Sequence, residues 1–124
     1  MFKRIKYELS SAMINFVNVE IWVKGGKLHY SKIATGRPDE YTDDTISTVS
    51  VEDFAKQLEA LHIDSWKKDY QPQGYIVMDG VSWTVEYEDT DGKKVKRSGD
   101  NAYPSNWSAF RKVLATVAGN VKLD

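Results

Sequence analysis

The sequence predicts an α+β domain of two layers, an antiparallel sheet of about five strands with two amphipathic helices on one face. Three observations lead there. Apolar residues alternate with period two at Ile5-Tyr7-Leu9, at Val17-Val19-Ile21-Val23 and at Val81-Trp83-Val85-Tyr87. Gly25-Gly26 and Asp91-Gly92 punctuate these runs as tight turns, which imply antiparallel neighbours. The runs 51–62 and 107–117 repeat instead with helical period, and two such helices need a sheet face to cover.

The first strand runs from Lys3 to Leu9, and the second carries Val17 to Val23. Gly25-Gly26 readily takes the positive φ angles of a type I′ turn, so a return strand follows at Leu28–Ile33. Leu28, Tyr30 and Lys32 share one face of it, while His29, Ser31 and Ile33 share the other. Thr35 to Val49 differs in kind, with Gly36, Pro38 and the four acids Asp39, Glu40, Asp43 and Asp44. It is either a functional loop or the cover for a short edge strand at Asp44–Val49.

Ser50 is an N-cap with Asp53 in the reciprocal position, and Val51, Phe54, Ala55, Leu58, Leu61 and His62 form the apolar stripe of a helix over 51–62. A loop broken by Pro72 and Gly74 follows, with room for a short strand at Tyr75–Met78. Val81 to Glu88 is the cleanest strand of the chain, turned back by Asp89-Thr90-Asp91-Gly92 into Lys93–Ser98. Pro104 is preset for a first helical turn, and Trp107, Phe110, Leu114 and Val117 define a last helix that stops at Gly119.

The 124 residues make one domain, 1–124, and 41% hydrophobic with 28% charged content excludes the disordered class. Lys plus Arg total 17 and Asp plus Glu 18, so no global field attracts nucleic acid or an anionic membrane. Cysteine is absent, which removes disulfides, thiolate metal sites and cysteine nucleophiles. Neither a signal peptide nor a run of bilayer length is visible, so a cytoplasmic chain is expected. The triplet Asn106-Trp107-Ser108 matches a glycosylation acceptor that such a location would leave unused.

The string Trp66…Tyr70, Asp79-Gly80-Val81-Ser82-Trp83, Asp91-Gly92, Gly99-Asp100-Asn101-Ala102-Tyr103-Pro104 and Trp107…Phe110…Leu114 resembles small bacterial domains of unknown function, widespread in Gram-positive bacteria and their mobile elements. It covers the C-terminal half only. The resemblance implies a hairpin feeding a helix, and it brings no activity, cofactor or site residue with it.

Candidate chemistry is sparse. His29 and His62 stand at no metal-ligand spacing, and His62 suits a helix C-terminus through the dipole. Asp89-Thr90-Asp91-Gly92 lacks the later ligands of a calcium loop and fits a hairpin turn better. Sequential acids at 39–44 do not make an acid–base pair, though a long acidic loop can bind a partner. Lys93-Lys94-Val95-Lys96-Arg97 invites a nucleic-acid reading, yet Glu86 and Glu88 face it across the hairpin. No metal or cofactor is implied.

With four Trp and seven Tyr, the aromatic set is the strongest lead. Trp83 and Trp107 fit core faces. Trp66 and Tyr70 flank a loop, and if exposed beside Asp79, Asn101 and Tyr103 they form a concave patch for a peptide, a sugar or a protein surface. The expected function is therefore a non-catalytic binding module whose partner is another protein, a peptide or a second copy. A small enzyme using a His/carboxylate site and a nucleic-acid binder using 93–97 are the alternatives.

Overall fold

The computed structural model describes residues 2–11, 16–34, 41–71 and 80–119. Four strands, β1 (Phe2–Ser11), β2 (Phe16–Lys24), β3 (Lys27–Ala34) and β4 (Thr42–Ile46), precede helix α1 (Val51–Glu59). A 3-10 turn at Ile63–Ser65 and the two-residue strand β5 (Asp69–Tyr70) lead to β6 (Val81–Asp89), β7 (Lys94–Asp100) and helix α2 (Trp107–Ala118). All strands of the described residues belong to one seven-stranded sheet in the order β4-β3-β2-β1-β6-β7-β5.

The α+β class and the antiparallel hairpins agree with the pattern in the chain. The strand number does not: seven replace about five, and β5 runs parallel to β7. Both extra strands lack the signal that marks the others. β4 sits inside the Thr/Asp segment with no buried residue, and β5 is too short to show a period. The strand weighed at Tyr75–Met78 lies outside the described residues.

Central β1 pairs with β2 on one side and β6 on the other, bringing Leu9 opposite Val17 and Trp83, and Tyr7 opposite Val19 and Val85. The face carrying these residues is the buried one. Phe54 of α1 meets Phe2 edge-on at 5.1 Å, and Phe110 of α2 meets Tyr7 at 5.8 Å, so both helices cover that face. Lys32, on the same side of β3, donates from Nζ to the Ala118 carbonyl at 2.6 Å and so supplies a cation to the C-terminal end of α2.

The local signals act as their chemistry requires. Gly25 and Gly26 take φ values of 60° and 74° in the β2–β3 turn. Ser50 Oγ accepts the Asp53 amide at 3.1 Å, capping α1. The helix stops at Glu59, earlier than the apolar stripe suggests, because His62 has turned to φ 51°, where a helix cannot continue. The Asp89 carboxylate accepts the amides of Asp91 and Lys93, both at 2.9 Å, so it is spent on the turn of the β6–β7 hairpin. Among the described residues no helix is long and apolar enough to cross a membrane.

Candidate functional site

The expected aromatic patch is a core. The Trp66 ring is 7% exposed and lies within 5.4–6.1 Å of Phe110, Trp83 and Trp107, which corrects its expected place on a loop surface. Tyr70 is half-buried, 6.0 Å from Trp83, and its hydroxyl accepts the Lys67 amide. Tyr103 keeps 40% exposure while stacking on Trp83 at 6.4 Å. Asp79 lies outside the described residues. Apolar burial explains the difference: near the junction of both helices with β6, a ring of this size is worth more inside than out.

The string Gly99 to Pro104 builds that cluster. The Trp83 indole N–H crosses Gly99 and donates to the Ala102 carbonyl at 2.9 Å, which a side chain at position 99 would obstruct. Asn101 adopts φ 53°, where Asn is better tolerated than most residues; its Oδ1 accepts the Val81 amide at 2.9 Å and its own amide returns to the Val81 carbonyl. Asn106 Nδ2 donates to the Leu61 carbonyl at 2.8 Å, tying the start of α2 to the end of α1. Asn101 and Trp66 are thus committed to the fold.

Asp100 accepts from the Ser82 hydroxyl at 2.5 Å and from Gln71 Nε2 at 2.8 Å, which holds its carboxyl below the ordinary carboxylate range. A depressed native pKa stabilises above the unfolded value and that stabilisation disappears as pH falls through the native one. Asp100→Asn should therefore flatten the loss of thermal stability on acidification below the usual carboxylate range; an unchanged acid limb in melts across pH would contradict this.

Among the described residues no helix lies over the opposite sheet face, and its chemistry changes from one side to the other. Across β7, β6, β1 and β2 the register lines up Lys96, Glu86, Lys6 and Glu20 in one row, and Lys94, Glu88 and Arg4 in the next. Ion pairs run through it: Lys6–Glu8 at 3.1 Å, Lys3–Glu88 at 3.6 Å, and Arg4–Glu20 and Lys96–Glu86 at 3.8 Å. The Glu8 hydrogen bond, opposed in part by desolvation, raises the Lys6 pKa. Signs alternate, so this half neutralises itself.

Arg97 points the other way and donates to the Trp66 and Asp64 carbonyls at 3.0 and 2.9 Å. Lys93 reaches Asp64 at 3.7 Å. The basic run is therefore divided between two faces rather than presented as one strip.

Towards β4 the charges give way. The second row continues from Arg4 to Trp22, His29 and Ile46. Trp22 stacks on His29 at 5.9 Å, and His29 Nδ1 bonds Asp44 Oδ1 at 2.7 Å. Four large hydrophobic side chains are exposed among the described residues, and three of them, Ile33 (39%), Tyr41 (58%) and Ile46 (56%), belong to this end. Continuing the Lys32–Thr42 pairing by one residue sets Tyr41 opposite Ile33. This patch lies partly in the acidic segment, whose portion 35–40 is outside the described residues. The legible signal for it was phase: Trp22, His29 and Ile33 occupy positions where the neighbouring pattern places polar residues.

A cleft of about 320 Å³ opens on the helix side, below the end of α1, lined by Glu59, His62, Asp64, Tyr87, Asp89 and Lys93 over an apolar floor. Burial and these three carboxylates raise the Tyr87 pKa. Among the described residues no group of three or more His, Asp or Glu side chains is arranged to hold a metal ion. Comparison with protein-family models, curated proteins and solved structures returned no match.

Proposed function

We propose that this chain is a non-catalytic binding module, and that it meets another protein through the β3–β4 end of its uncovered sheet face. The observation that carries this is the concentration of exposed apolar surface at Ile33, Tyr41 and Ile46, beside Trp22, on a face that is otherwise a neutralised charge lattice. Exposed apolar side chains gathered at one end of a face, rather than scattered singly, are characteristic of an interaction site. The surface expected around Trp66 moves accordingly, since the aromatic rings there supply the core.

The His/carboxylate alternative has two observations in its favour, the His29–Asp44 bond and the cleft that His62 lines with Glu59, Asp64 and Asp89; the first pair lies on an open strand face beside Trp22, and in the cleft Asp64 is engaged by Lys93 and Asp89 by the turn amides. Nucleic-acid binding is disfavoured by the commitment of Lys93 and Lys96 to ion pairs and of Arg97 to backbone carbonyls. A bacterial cytoplasmic setting, suggested by the resemblance of the C-terminal half and by the absence of cysteine, belongs to the same proposal.

A photo-crosslinking residue at Ile46 or Ile33, in the full chain expressed in cells, should give one discrete adduct that the same residue at Glu86 does not. The Tyr41→Ser variant should lose the adduct while melting like the parent. Equal capture from position 86 would remove the assignment, and adducts containing only this chain would redirect it to a dimer.

A further inference from the structure

We propose that β4 accepts an extended, basic segment of a partner protein as an additional strand. This rests on the β3–β4 end being a binding surface, and it adds how the partner docks and what charge it carries.

The two edges of the sheet are unlike. At one, β5 is only two residues long and the remainder of β7 carries Lys94 and Lys96, devices that discourage strand addition. At the other, β4 runs for five residues with β3 as its neighbour in the sheet order and, among the described residues, no strand beyond. The Ser47 amide donates inward to the Leu28 carbonyl at 2.9 Å, so the alternation of an antiparallel ladder turns the amide and carbonyl of Ile46 outward. Those groups are the template for main-chain pairing with another chain.

Charge selects the occupant. Asp43 and Asp44 are exposed in the middle of the strand. A second copy pairing antiparallel about this centre would set carboxylates against carboxylates, which opposes self-association. Cationic side chains at the same positions would be drawn in.

Acids and the irregular register between Tyr30 and Lys32 also serve to protect an edge. Protection alone does not account for Tyr41 and Ile46, which flank the acids and remain more than half exposed. The complement of this edge is a strand with lysine or arginine at its centre and apolar residues around it.

Three labelled peptides of about ten residues test this by fluorescence anisotropy on the full chain: alternating valine and lysine, alternating valine and glutamate, and the basic peptide N-methylated at alternate amides. The basic peptide should bind about tenfold more tightly than the acidic one, weaken with salt, and lose about tenfold on N-methylation. Asp43→Lys, an exposed change, should reverse the charge preference. No binding of the basic peptide up to about 1 mM, or binding indifferent to N-methylation, overturns strand addition. Ile46→Ser separates the two ideas: indifference to it, with N-methylation still costly, overturns the apolar surface of the preceding section, whereas sensitivity to it without an N-methylation effect leaves that surface and removes the added strand.

Discussion

Gly99→Ala is expected to destabilise the protein by about 3 kcal/mol, lowering the melting temperature by roughly 10 °C. A Cβ built on Gly99 would lie 2.5 Å from Trp83 Nε1, 2.6 Å from the Ala102 carbonyl oxygen and 2.7 Å from Trp83 Cε2. None of these is the free end of a flexible chain. The indole is buried and its N–H is fixed on that same carbonyl, so relief requires moving either the ring or the β7–α2 connection. Gly92→Ala is the control: its Cβ meets nothing within 4 Å, and only the φ of 84° opposes it. That strain should cost about 1 kcal/mol. Denaturant melts of both variants, followed by tryptophan fluorescence, separate close approach from backbone strain. Equal losses at the two positions would mean that the indole crossing is not what position 99 serves.

Trp83→Ala should be worse, at about 3–5 kcal/mol, a large fraction of the roughly 5–15 kcal/mol that holds an ordinary domain together. The ring is 1% exposed, lies 4.6 Å from Trp107, and has Trp66, Tyr70 and Tyr103 around it. Its loss opens a cavity that neighbouring rings, held on α2, on β5 and in two connections, cannot close by a rotamer change. Near-ultraviolet circular dichroism should lose its aromatic bands at temperatures where the parent keeps them. Trp83→Phe retains most of the apolar area and removes the donor to Ala102, so about 1–2 kcal/mol is expected from the orphaned carbonyl and imperfect packing. If Trp83→Ala melted within a degree or two of the parent, the aromatic cluster would not be the keystone of the helix layer.

Both substitutions fall in the string that gives the C-terminal half its resemblance to other small domains, and several members of that string have structural tasks. Gly99 clears the indole, Asp100 holds Ser82 and Gln71, Asn101 turns the chain, Ala102 accepts from Trp83, and Trp107 completes the cluster. A pattern rich in Trp, Tyr, Asn and Asp looks like a binding motif in one dimension because those residue types also build interfaces. Here the same amphipathic rings turn their bodies into the core, and Trp83 and Tyr70 satisfy their polar tips locally.

The candidate site was less legible than the fold. His29, Ser31 and Ile33 were separable from Leu28 and Tyr30 by phase, and Trp22 breaks the polar phase of its strand in the same way. What phase could not supply was adjacency. Ile46 meets His29 only because β4 folds back along β3, and β4 has no periodic signal of its own. Asp44 reaches His29 from φ 26°, a local backbone state that no pattern of side chains announces.

Local chemistry determined the hairpin at Gly25-Gly26, the Ser50 cap, the alternation of β1, β2 and β6, and the helical stripes of α1 and α2. Each depends on residues within a few positions of one another, where backbone preference and side-chain period act directly. Tertiary structure alone decided that β1 lies between β2 and β6, that Trp66 joins Trp83 and Trp107 inside, and that an uncovered face ends in an apolar margin beside β4. Those outcomes come from matching whole faces across distant segments, where the area removed from water is a property of the assembled layers rather than of any stretch of chain.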